Sequence, residues 1–303
     1  MRYLNIDKSV IESRYFVPAC CALFFILAFL VFFYLSLPSE SIKQRIIHEV
    51  ETRTPFDADI KSLSIYPIFN LKFHEVRLYR AKALYLSIDD LNVSPLLFYL
   101  LLKKIALPFK ARLHGGEAKW KLVYSSKTGQ LMKANGTVKG INVKGIPAVS
   151  IALGDASSSI QGIIEGDFSV EFYPQPKGEL VLEAKDLSVK NVRLIEGMPL
   201  PDFGRLQCNF KSHIENGVTK VEELKFKGSD IDLTLVGTIP LLWEISKQGA
   251  IDLDLRLRTV RVGRGRLSFL SAFLSPQSDG SLGGKLVGTF GSPRLVKEAI
   301  RTR

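Results

Sequence analysis

The sequence is poor in cysteine and histidine. Three cysteines among 303 residues, two of them adjacent at Cys20 and Cys21, exclude a disulfide scaffold. The four histidines (His48, His74, His114, His213) stand far apart, none in an HExxH pattern or beside a cysteine at ligand spacing. The pattern therefore predicts no metal centre. Gly263 and Gly265 have no third glycine opening a helix, and no GKS or GKT follows a glycine loop, so no phosphate cradle or other cofactor site is expected. The 23 glycines and 14 prolines follow no fixed period, which excludes a collagen-like chain. A hydrophobic share of 46% with dispersed charge excludes disorder as the main state.

Catalytic signatures are equally scarce. There is no G-x-S-x-G elbow, and Lys127-Thr128-Gly129, without any S-x-x-K, reads as a hairpin turn. Acid pairs occur at Asp89-Asp90, Glu222-Glu223 and Asp252 with Asp254. Paired carboxylates do acid–base work only in a protected cleft. On a strand, Asp252, Asp254, Arg256 and Arg258 share one face while Ile251, Leu253, Leu255 and Leu257 share the other, the pattern of a solvated strand face.

What the chain does have is one long apolar run. Phe16 to Leu37 holds 22 residues and no charge, a length of about 33 Å as a helix against a hydrocarbon core of roughly 30 Å. Pro18 falls in the first turn, and Tyr15 and Tyr34 fall near the ends, where interfacial aromatics sit. The run is too long for a signal-peptide core, and Leu35-Ser36-Leu37-Pro38 lacks small residues at cleavage spacing. The expectation is an uncleaved transmembrane helix over 16–37, preceded by a cytoplasmic tail over 1–15. Cys20 and Cys21 then lie in the bilayer, out of reach of Cys208. Three basic residues flank each side (Arg2, Lys8, Arg14 and Lys43, Arg45, Arg53), a near tie for orientation. The N-terminus is placed inside.

Beyond the run, residues 38–54 read as an amphipathic connecting helix, with a stripe of Ile42, Ile46, Ile47 and Val50, a capping box at Ser41 and Gln44, and a stop at Thr54-Pro55. From residue 55 the period changes to two. Alternation marks Leu71–Phe73, Leu84–Ile88, Leu91–Val93, Ile160–Ile164, Phe168–Phe172, Leu180–Ala184, Leu206–Phe210, Ile231–Leu235, Ile251–Leu257 and Lys285–Phe290. Phe109, Ala111 and Leu113 before Gly115-Gly116, then Ala118, Trp120, Leu122 and Tyr124, make the clearest hairpin. Few helices are expected. Leu96 to Lys104, containing Leu96, Leu97, Phe98, Leu100 and Leu101, reads as a short helix covering the sheet end; 267–275 and Leu295 to Ile300 read as two more.

A faint repeat links Leu235-Val236-Gly237-Thr238-Ile239-Pro240 with Leu286-Val287-Gly288-Thr289-Phe290 and, more weakly, Asn135-Gly136-Thr137-Val138. Each puts glycine inside a strand, where it permits a bulge or sharp coiling. The expected fold is mainly β: one elongated, curled antiparallel sheet over 55–303, as an open groove or a partly closed barrel, with a few short helices. Such a sheet has one apolar face to hide.

The net charge is +11, and Arg256, Arg258, Arg261, Arg264 and Arg266 crowd into eleven residues. No aromatics interleave them and no RNA-binding motif accompanies them, which argues against nucleic acid. Contact with anionic lipid headgroups or an acidic partner, or an ordinary charged face, remains open.

The order of an N-terminal anchor, FDADIKSLSIYPIFNLKFHEVRLYR, then ALYLSIDDLNVSPLLFYLLLKKIALPFKARLHGGEAKWKL resembles the start of the AsmA-like envelope proteins. The matching residues are Ala83 to Val93, Ser94-Pro95-Leu96-Leu97, Lys104-Ile105 with Leu107, and Gly115-Gly116. With its single anchor and its closing GGKLVGTFGSPRL, the chain is most similar to the general secretion pathway protein N family of type II secretion systems. The resemblance implies a single-pass bacterial inner-membrane protein with a periplasmic β-rich domain, working with other secretion components and with membrane lipids. It also implies a runner-up, since the broader family moves phospholipid along an apolar groove. It supplies no catalytic residue, and an envelope hydrolase is the weakest expectation.

Overall fold

The computed structural model describes residues 16–66, 70–96, 98–149, 159–190, 204–229, 231–241, 249–259, 274–289 and 292–298. The chain divides into two compact units, Met1–Ile46 and Ile47–Arg303. In the first, α1 (Phe16–Leu35) is a 20-residue helix without a charged side chain. It is apolar all round, with no polar stripe to turn toward water. Among the residues whose side chains are described, no helix is long and apolar enough to cross a membrane. The side chains at 16, 27, 30–31 and 33–35 are not among those residues, whereas the backbone of α1 is helical from end to end.

Helix α2 (Ser39–Arg53) follows. It starts two residues before the expected capping box, so Ser41 is not its cap. Glu40 instead pairs with Lys43 at 2.7 Å and accepts from Gln44 at 3.3 Å within the first turn, favourable for an anion beside unpaired N–H groups. Ile42, Ile46, Ile47 and Val50 are the half-buried stripe, and the Thr54 amide closes on the Val50 carbonyl at the end.

The second unit carries a 15-stranded antiparallel sheet. Its strands are β1 (Asp57–Tyr66), β2 (Asn70–Arg80), β3 (Ala83–Val93), β4 (Lys104–Leu113), β5 (Gly116–Ser125), β6 (Leu131–Asn142), β7 (Ser159–Glu171) and β8 (Lys177–Lys190). They continue as β9 (Leu206–Glu215), β10 (Val218–Lys227), β11 (Ile231–Pro240), β12 (Ala250–Thr259), β13 (Ser275–Pro276), β14 (Leu282–Thr289) and β15 (Ser292–Val296). Each strand pairs with the next from β1 to β12; β14 joins β12, and β13 and β15 both pair with β14. Among the described residues no pairing joins β1 to the far end, so the sheet is open.

Several expected boundaries shift. Ile160–Ile164 and Phe168–Glu171 belong to one strand, β7, whose pairing with β8 runs unbroken from Ile163 to Glu171 through Gly166, while its pairing with β6 shifts register between Val138 and Ile141. Leu295 is not helical: β15 takes it into pairing with Leu286. The region 267–273 lies outside the described residues. The β4–β5 hairpin stands where expected, but its positive φ values belong to His114 (47°) and Gly115 (80°), because Gly116 already pairs with Leu113.

The helix expected over Leu96 to Lys104 shrinks to α3 (Phe98–Leu101). Leu96 is spent on a bridge to Ala106, and Lys103 adopts a φ of 55°, which a helix cannot continue. Of the residues expected to cover the sheet end, Leu96 is 40% and Leu101 78% exposed. Leu97 and the side chains of Phe98 and Leu100 lie outside the described set.

Two repeat glycines have structural causes. Gly237 and Gly288 sit at φ 152° and 107°, where an L side chain is strained. Gly136, the weaker echo, has no such φ and is needed for space instead.

Candidate functional site: a two-faced sheet

Directly opposed residues in an antiparallel ladder share a face. Following the register from strand to strand therefore traces rows across the sheet. One row runs Ile65–Leu71–Val93–Phe109–Trp120–Gly136–Phe168. It goes on Leu180–Ser212–Val221–Gly237–Leu253–Leu286–Leu295, reaching β15. The next row on that face is Leu63–Phe73–Leu91–Ala111–Ala118–Val138–Gly166. It continues Leu182–Phe210–Leu224–Leu235–Leu255–Gly284. Ser212 is the single polar side chain in the two rows together.

The opposite face is charged. Lys72–Asn92–Lys110–Lys119–Thr137–Asp167 is one of its rows; Lys121–Asn135–Ser169–Glu179–His213–Lys220–Thr238–Asp252 is another. A cavity of about 710 Å³ lies on β4 to β7, lined by residues of these two polar rows and by Phe109, Trp120, Gly136 and Phe168 between them.

The apolar face is not uniform. From Ile65 to Leu180 the first row is half-buried, whereas Val221, Leu253 and the cluster of Leu235, Ile239 and Ile251 are buried. Leu274 and Leu241 add cover there: Leu274 joins Leu187, Leu206, Ile231 and Leu257, and Leu241 packs with Val170 and Ile214. In the half-buried part, Phe109 and Trp120 stack at 5.2 Å with planes 6° apart.

Two hydroxyls interrupt the buried part. Ser212 is 2% exposed and Thr219 is 0% exposed, and neither oxygen has a hydrogen-bond partner. They are diagonal neighbours, since Ser212 opposes Val221 and Thr219 lies two residues before it on the same face.

Electrostatic clusters belong to the other face. Asp90 meets Arg112, His74 Nδ1 at 2.6 Å and Lys72 at 3.9 Å. Burial pushes its carboxyl up, but the Arg112 hydrogen bond and the surrounding cations outweigh this and hold it below the usual range. Glu117 is gripped by Lys110 at 2.8 Å and Lys119 at 2.5 Å, which bring its carboxyl down to about 2.

Of the arginine run, only Arg256 and Arg258 are described. Both turn to Asp279, Arg258 at 2.7 Å and Arg256 at 3.9 Å. Asp279 lies well below the carboxylate range, through its Ser281 side-chain hydrogen bond first and Arg258 second. These two arginines are thus engaged within the sheet, while Arg261, Arg264 and Arg266 lie outside the described residues.

Burial pushes the Cys208 thiol up to about 11, so it stays protonated and unreactive. Among the described residues no group of three His, Cys, Asp or Glu side chains could hold a metal ion. Alternation signals each strand, but which residues line up across neighbours depends on register, and register is not written in any one segment. The chain was compared with family models, curated proteins and solved structures, and none matches it.

Proposed function

We propose that this chain is a non-enzymatic, inner-membrane-anchored component of the type II secretion apparatus, with α1 as its single span and its sheet in the periplasm. The observation that carries the reading is the two-faced sheet, apolar along one side and charged along the other, built from strands in simple sequence order. Its titratable groups are spread in ion pairs over the charged face, an arrangement suited to contact more than to bond-making. β1 lies at the end of the strand order as a ten-residue strand, and an edge strand can accept a strand from a neighbouring secretion component. The experiment is cross-linking and co-purification after detergent extraction. Secretion components should be captured through β1, and removal of the chain should impair export of secreted enzymes; purification alone, with export intact, would sink the reading.

A second reading is favoured by one specific observation. The first apolar row stays half-buried from Ile65 to Leu180, so that part of the face can shield acyl chains. In this reading the sheet curls into a groove that carries phospholipid. Mass spectrometry of the extracted protein separates the two. Stoichiometric phospholipid lost on Trp120→Glu supports the carrier, and a lipid-free protein with a bound partner supports the scaffold.

A further inference from the structure

The turns between β1 and β2, β5 and β6, β7 and β8, and β9 and β10 all fall at one end of the sheet, with the α3 connection between β3 and β4. Exposed large apolar side chains gather at this end. Leu101 is 78% exposed and Tyr173 63%, and Tyr66, Leu96, Leu102 and Val218 are also exposed. At the opposite end, among the described residues, Leu84 (36%) and Ile163 (39%) are the comparable side chains, each less exposed than Leu101, Leu102 or Tyr173. Lys103 and Lys104 directly follow the leucine pair, and the β5–β6 turn carrying Lys127 is tied to them, the Ser126 amide donating to the Lys103 carbonyl at 3.0 Å. No ion pair among the described residues engages these three lysines.

We propose that this end of the sheet docks on an anionic lipid bilayer. Leucines followed by lysines match the two layers of such a surface, apolar side chains entering the acyl boundary while ammonium groups meet phosphates. Tyr66 and Tyr173 suit the headgroup level between them. An apolar protein partner would have no use for three unpaired lysines set around the leucine tip. The inference concerns the sheet's end, not its apolar face, and stands apart from the secretion and carrier readings.

The test holds full-length protein in phosphatidylcholine nanodiscs, which occupies α1, and adds vesicles containing phosphatidylglycerol, read by flotation. Wild type should float with these vesicles and not with phosphatidylcholine vesicles. Leu101→Ser with Leu102→Ser, and separately Lys103→Glu with Lys104→Glu, should each lower capture by more than about tenfold, since each pair of residues together contributes at least this much. Leu84→Ser at the other end should leave capture unchanged. Since all these side chains are exposed, thermal melting should be unaltered. Absence of wild-type capture, as a protein-only docking site would give, overturns the proposal; so does capture indifferent to both tip variants.

Discussion

Phe168 lies over Gly136 so closely that a Cβ on the glycine would stand 2.7 Å from the ring's Cε1 and 2.6 Å from the Lys119 carbonyl oxygen. The two residues oppose each other across β6 and β7. The missing side chain therefore makes room for the ring beside Trp120, the next residue of the same row. Gly136→Ala must move both a ring and a backbone, because the carbonyl cannot yield as a flexible side chain would. A loss of about 1–3 kcal/mol is expected on overpacking of this kind, measurable by urea unfolding. Wild-type stability in the variant would mean the ring does not occupy that space.

Thr219 offers the opposite outcome. Its hydroxyl is buried without a partner among apolar neighbours, opposing Ile214 and Ile239. An unsatisfied buried hydroxyl costs about 1–3 kcal/mol, whereas valine has nearly the same shape and no polar atom. Thr219→Val should therefore leave stability unchanged or raise it by about 1 kcal/mol. A clear loss in the unfolding midpoint would show that the hydroxyl has a partner after all.

Much of this fold was legible in the sequence, for a reason visible in β12. Ile251, Leu253 and Leu257 are buried and Asp252 and Arg258 exposed, and strict alternation encodes that outcome locally. The α3 region differs from the expected helix because its apolar run has helical propensity, while the bridge of Leu96 to Ala106 requires β4 to fold back beside it, which periodicity does not encode. In β2 the apolar positions step from Phe73 to Val76 instead of by two, with Glu75 at a φ of 49°. That switch breaks the pattern alternation relies on. The apolar row through Trp120 was the least legible feature, since it exists only once every register is fixed.

Acid should destabilise the sheet through its charged face. Glu117 falls from its ordinary 4.5 to about 2 through Lys110 and Lys119, and Asp90 is also lowered. A depressed carboxylate stabilises the fold fully above its unfolded value, and the contribution is lost as pH falls through the folded value. The window here runs from about 4.5 down to about 2. Thermal melting should drop across it, and Glu117→Gln with Asp90→Asn should flatten that slope while lowering stability at neutral pH. A slope unchanged by the pair of substitutions would place the acid sensitivity elsewhere.

The face assignment itself is open to a test by two adjacent residues of β8. Leu180 lies in the apolar row between Phe168 and Ser212, and Val181 lies on the other face between Asp167 and Lys211. Leu180→Lys drives an ammonium stem into a half-buried apolar row, and the long side chain recovers only part of the cost by bending toward water. A loss of at least about 2 kcal/mol is expected there. Val181→Lys replaces an exposed side chain with one that reaches water and can meet Asp167, so its effect should stay within about 0.5 kcal/mol. Urea unfolding of the two variants side by side decides the matter. Equal tolerance at both positions would mean that neither face of the sheet is hidden, and both the scaffold and the carrier readings would then lose their physical basis.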